Sequence, residues 1–146
     1  MQKLKQILLI TILLISCKSI DNKLVPTNPA ALIFEMHKGG CYGTCPIYSL
    51  SLYENRLVKY NGKRFTENQG AHQWQLSKKD FEVINSILSE KFNSNYTHNL
   101  EVQDLPQTSL NIKNTYQIKF KGGYPKDFKS ELKQIESLLM KNAGWK

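Results

Sequence analysis

The sequence predicts an α+β domain: an antiparallel sheet of about five or six strands with two helices packed on one face, in the order β-β-β-β-α-β-β-α. Three observations predict it. Several short segments alternate apolar and polar residues with period two, the mark of strands with one dry face. Two other segments place apolar residues at helical spacing, each after a helix-starting residue. Glycine and asparagine turn signals punctuate the alternating segments. Such a set assembles as a two-layer sandwich with both helices on the apolar side of the sheet. A length of 146 residues suffices for one core and not for two. A composition 40% hydrophobic and 22% charged excludes a disordered polymer, a collagenous repeat and a multi-span membrane protein.

In the first strand, residues 32–37, Leu32, Phe34 and Met36 alternate with Ile33, Glu35 and His37. A loop rich in glycine and cysteine, 38–45, ends it. From Pro46 the alternation resumes with Tyr48, Leu50 and Leu52, turns at Glu54-Asn55 and returns through 57–60 as a hairpin. Asn61-Gly62 is a turn signal, after which 63–66 and 73–76 offer one or two more strands, with Gly70 as a break. Ser77 reads as a helix cap with Asp80 three residues on, and Phe81, Ile84, Ile87, Leu88 and Phe92 form the stripe of a helix that runs to about Lys91. Residues 93–108 read as a long connection, a kind usually functional or mobile. Leu110 and Ile112, a turn at Asn114-Thr115, then Tyr116, Ile118 and Phe120 make a second hairpin. Gly122-Gly123 ends it, Pro125 suits a first helical position, and Phe128, Leu132, Ile135, Leu138 and Leu139 stripe the last helix.

The N-terminus carries an address. Residues 1–16 have a basic head, Lys3 and Lys5, an apolar run from 7 to 15 and a small residue, Ser16. A run of that length rises only about 14 Å as a helix, against roughly 30 Å of hydrocarbon, so a transmembrane anchor is disfavoured. Leu14-Ile15-Ser16-Cys17 resembles the bacterial lipobox, which implies cleavage before Cys17 and lipid on that residue. Two or more acyl chains anchor stably, so the protein is expected on a membrane, with 17–29 as lipidated cysteine and flexible tether and 30–146 as the single domain. Lys18-Ser19-Ile20-Asp21 lacks an acidic cluster, which favours the periplasmic side of the outer membrane. Loss of Lys3 and Lys5 lowers the net charge from +8 to +6. The remaining lysines form no stripe interleaved with aromatics, so no nucleic-acid partner is expected.

Cys41-Tyr42-Gly43-Thr44-Cys45-Pro46 is the sequence's one chemical landmark. Outside the cytoplasm a disulfide between Cys41 and Cys45 is the leading reading, with Gly43 supplying backbone freedom and Tyr42, Gly43 and Thr44 offered as a binding loop. The CxxxCP pattern also resembles the copper(I) site of the Sco family of cytochrome oxidase assembly factors. On that alternative Cys41 and Cys45 hold Cu(I), with His72 or His98 as third ligand, or act in thiol redox chemistry. A c-type haem is disfavoured because Pro46, not histidine, follows Cys45. His37, His72 and His98 are scattered, no serine lies in a nucleophile elbow, and Gly39-Gly40 and Gly122-Gly123 are not phosphate loops. Asp104 precedes Leu105-Pro106 and reads as a turn residue.

With Cys41, Gly43, Cys45, Pro46 and Tyr48 after a first strand, Gly62 in a following turn and Asp104-Leu105-Pro106 before the second hairpin, the chain resembles an uncharacterised bacterial family, domain of unknown function 6438. The resemblance spans most of 32–139, is carried by a CxGxCPxY core, and departs in the asparagine-rich stretch 93–99. Members look like secreted proteins or lipoproteins, and the resemblance carries no activity to transfer. The expectation is therefore a membrane-anchored lipoprotein of the cell envelope acting as a non-catalytic binding or structural module. An envelope protein or glycan is its expected partner, and no cofactor is expected.

Overall fold

The computed structural model describes residues 30–98, 104–141 and 143–145. Alternation builds the sheet: β1 (Leu32–Lys38), β2 (Ile47–Tyr53), β3 (Leu57–Arg64) and β4 (Gly70–Gln75) form an antiparallel meander. Helix α1 (Lys78–Lys91) follows, then a short β5 (Tyr96–His98), a hairpin of β6 (Gln107–Ile112) and β7 (Tyr116–Lys121), a 3₁₀ turn (Lys126–Phe128) and helix α2 (Lys129–Met140). The strands lie in the order β4-β3-β2-β1-β6-β7-β5, which makes β1 the central strand. Every neighbouring pair is antiparallel except β5 on β7.

One face of the sheet is dry. Phe34 and Met36 of β1, Leu50 and Leu52 of β2, Ile118 and Phe120 of β7 share one core with Ile84 and Leu88 of α1 and Leu132, Ile135 and Leu139 of α2. Each such side chain contributes roughly 1.5–3 kcal/mol through its removal from water. The other face is polar, presenting Glu35, His37, Ser49, Lys59, Asn61, Gln73 and Lys119. No helix among the described residues is long and apolar enough to cross a membrane.

The sheet has seven strands, not five or six. The additional strand, β5, falls in the stretch read as a connection; three residues are too few for a period of two to show, and its pairing to β7 at the sheet edge supplies what local pattern does not. The Asn61-Gly62 signal does not make a turn. Strand β3 runs through it to Arg64, and the chain reverses over 65–69, with Phe65 at φ 55° at its start and Gly70 at φ 85° just beyond it. Gly62 is required for a different reason: a Cβ there would collide with the carbonyl oxygen of Asn68 and with Thr66 Oγ1. Strand β4 accordingly begins at Gly70, ahead of the expected 73. Pro125 stands just ahead of the 3₁₀ turn, with extended backbone, and not at a first helical position, whereas the Ser77 cap and the β6–β7 turn are as expected. Ser77 accepts from the backbone N–H of Asp80 at 3.1 Å, and Lys113 and Asn114 take positive φ in the β6–β7 turn.

Candidate functional site

The inward alternation of β1 runs Phe34, Met36 and then Lys38, so a charged side chain occupies a core-facing register at the end of the central strand. Its neighbour in β2 is Tyr48. From α2, Glu136 lies one helical turn beyond the buried Leu132 and reaches the same spot. The Lys38 ammonium donates to Glu136 Oε1 at 2.6 Å. The Tyr48 hydroxyl donates to the same oxygen, and the Tyr124 hydroxyl donates to Oε2. The ammonium also lies 5.1 Å from the Tyr48 ring centroid and 5.0 Å from that of Tyr124, within cation–π range.

Burial pushes the Glu136 carboxyl up, but the hydrogen bonds from Lys38, Tyr124 and Tyr48 and the Lys38 charge together outweigh it and hold it below the usual carboxylate range. Burial, with the adjacent Glu136 charge and hydrogen bond, drives the hydroxyls of Tyr48 and Tyr124 far above the ordinary phenol value. The carboxylate thus stays ionised and both phenols stay protonated through neutral pH. General acid–base catalysis calls for a group poised near the working pH, and this network moves its members away from it. Its chemistry is that of a rigid, internally satisfied polar floor.

Beside that floor is a cavity of about 310 Å³ lined by Lys38, Gly39, Cys45, Pro46, Pro106, Thr108, Gly122, Gly123, Tyr124, Lys129 and Lys133. Four chain segments converge there: the cysteine loop, the approach to β6, the β7–α2 connection and the first turns of α2. Backbone bonds tie the walls together, from Gly39 N–H to Gln107 O at 2.8 Å and from Gly122 N–H to Pro106 O at 2.9 Å. Gly122 holds φ 80° there, with Leu105 packed against it.

Cys41 and Cys45 are joined by a disulfide with a Cα–Cα distance of 5.7 Å. The Gly43 N–H points back to Cys41 Sγ at 3.4 Å, and Tyr42, Gly43 and Thr44 are all exposed. Tyr42 is 87% exposed; Phe65, 43% exposed, sits at the same end of the sheet, because β3 ends where β2 begins. His72 lies on β4, at one edge, its ring packed on Tyr60 and Trp145 and its Nε2 2.9 Å from Gln69 O. His98 belongs to β5 at the opposite edge, whereas the disulfide loop hangs between the central β1 and its neighbour β2. The fold thus gathers Cys41, Tyr42, Gly43, Thr44 and Cys45 in one loop and holds His72 and His98 on different strands. His37 faces the open side, 3.3 Å from Glu35 Oε1, and Asp104 is exposed in the turn before β6. Cys17, with the expected signal segment 1–16 and the expected tether 17–29, lies outside the described residues.

Sequence reasoning passed over Lys38, Glu136 and Tyr124. The available signal was a lysine in the inward register of β1 together with an acid one turn from Leu132; each breaks an apolar pattern, and paired they satisfy each other. No curated protein matches the chain. A family model does, over residues 32–142, a span that takes in the whole sheet, both helices and the cavity. The chain belongs to the family described as Domain of unknown function (DUF6438).

Proposed function

We propose that this protein is a cell-envelope lipoprotein, anchored through lipid on Cys17, whose domain is a non-catalytic binding module with its ligand seated at the cavity beside the disulfide loop. The observation that carries this reading is the cavity itself: a concave, mostly apolar hollow whose wall includes Lys38 and Tyr124, both already bonded to Glu136 behind it. Such a wall gives shape and rigidity and leaves recognition to the rim. The exposed Tyr42, on a loop shortened by its disulfide, adds an aromatic contact at low ordering cost.

The anchor is tested by intact-mass measurement of the mature protein, which should begin at Cys17 with acyl chains attached and lack the two hydrogens of the Cys41 and Cys45 thiols. A mature chain without lipid overturns the anchoring. The binding role is tested by placing a photocrosslinking residue at Pro46, and separately at Gln73 on the open face, in the full chain expressed in its own envelope. A discrete adduct from Pro46 and none from Gln73 is expected; equal crosslinking at both, or none at Pro46, overturns the assignment.

A further inference from the structure

The cavity lining is one-sided in charge: three of its residues are lysines and none is an aspartate or glutamate. Lys38 is neutralised by Glu136. Lys129 and Lys133 stand one turn apart on α2, and neither has a carboxylate within ion-pair distance among the described residues. The lining also includes Pro46, Pro106 and the Tyr124 ring, which present little that can hydrogen-bond. An apolar hollow rimmed by two unneutralised ammonium groups complements a ligand with an apolar body and an anionic end. Phosphate sites typically draw on free backbone N–H groups, and the Gly39 and Gly122 amides at this cavity are already bonded to Gln107 O and Pro106 O. With those two amides spent, the cations at the rim are the Lys129 and Lys133 ammonium groups, and such a pair of point-charge donors suits a carboxylate.

We infer that the cavity binds an apolar carboxylic acid, its carboxylate held by Lys129 and Lys133 and its body against Pro46, Pro106 and Tyr124. This rests on the binding-module reading and names the chemistry of what that module takes. The carboxylate can belong to the last residue of a polypeptide or to a free small acid.

The test is calorimetric titration of the full chain in neutral detergent with four probes: acetyl-Gly-Ser-Gly-Phe, the same peptide as its C-terminal amide, 3-phenylpropionate and phenyl phosphate. The free-acid peptide should bind at least about tenfold more tightly than its amide, with affinity falling as salt rises. Binding by 3-phenylpropionate as well identifies free acids as ligands; binding by the peptide acid alone identifies polypeptide C-termini. Lys129→Gln and Lys133→Gln should each weaken the acid about fivefold, while Lys126→Gln, which does not line the cavity, leaves it unchanged. Equal affinity for acid and amide, preference for phenyl phosphate, no binding of any probe, or wild-type affinity in both cavity lysine variants overturns the inference. A partner crosslinked at Pro46 together with no preference for the acid would leave the binding module standing and remove only its carboxylate ligand.

Discussion

Glu136 is the residue on which the polar floor turns, and its behaviour with pH follows from its partners. Its carboxyl sits below its ordinary value in the folded chain, so as the pH falls the unfolded chain takes up the proton first. The stability it contributes is present above about pH 4.5 and declines below it. Glu136→Gln should cost about 2 kcal/mol near neutral pH, because Lys38 is left partly buried without its counter-charge, and should flatten the acid limb of stability against pH. Urea unfolding of both chains between pH 3 and 7 checks this. The phenols carry the opposite sign. Tyr48 and Tyr124 are raised in the fold, so stability falls as the pH climbs beyond the ordinary phenol value of 10.0. Tyrosinate absorbance should show these two ionising only together with unfolding, and Tyr48→Phe and Tyr124→Phe should each remove one late-ionising group.

At the scale of elements, the disulfide closes a loop of five residues, and a loop so short restrains the unfolded chain little. The Cys41→Ser/Cys45→Ser variant should lose about 2 kcal/mol, read as a lowered melting temperature, while the cavity walls contributed by β7 and α2 remain. How far each element was legible in the sequence depended on how local its cause is. The strands β1, β2, β6 and β7 and both helices were readable because each buries a stripe set by its own periodicity. The Ser77 cap was readable because a side chain three residues from the amide that donates to it needs no tertiary help. Strand β5 was not, since only β7 defines it, and Asn61-Gly62 misled because Gly62 answers to the approach of Asn68 across the turn. The cysteine pair announced itself through spacing. The Lys38–Glu136–Tyr48–Tyr124 cluster did not, because its members come from β1, α2, β2 and the β7–α2 connection, and only the assembled fold makes them neighbours.

For the whole molecule, a single core takes side chains from both helices and from the sheet on either side of β1, so no part of it can lose its packing alone. Unfolding should be one cooperative transition, with near- and far-ultraviolet circular dichroism changing together in urea; separated midpoints would show that the β1–β4 meander and the β6–β7 half part company. The far edge is held in the same unit. Trp145 packs edge-on against Trp74 and Tyr60, and Trp74 Nε1 donates to the Leu139 carbonyl of α2 at 2.9 Å.

The central place of β1 has a mechanical consequence. The described structure starts at Ala30, at the beginning of this strand, and the disulfide loop leaves from its other end. Were the chain anchored through its N-terminus and a ligand seated in the cavity, as proposed above, a pull between the two would run lengthwise along β1. Antiparallel partners flank it on both sides, and their hydrogen bonds lie across the direction of force. The two ladders would be loaded in shear, all rungs together, rather than peeled open one at a time, which is the geometry in which a small sheet bears tension best.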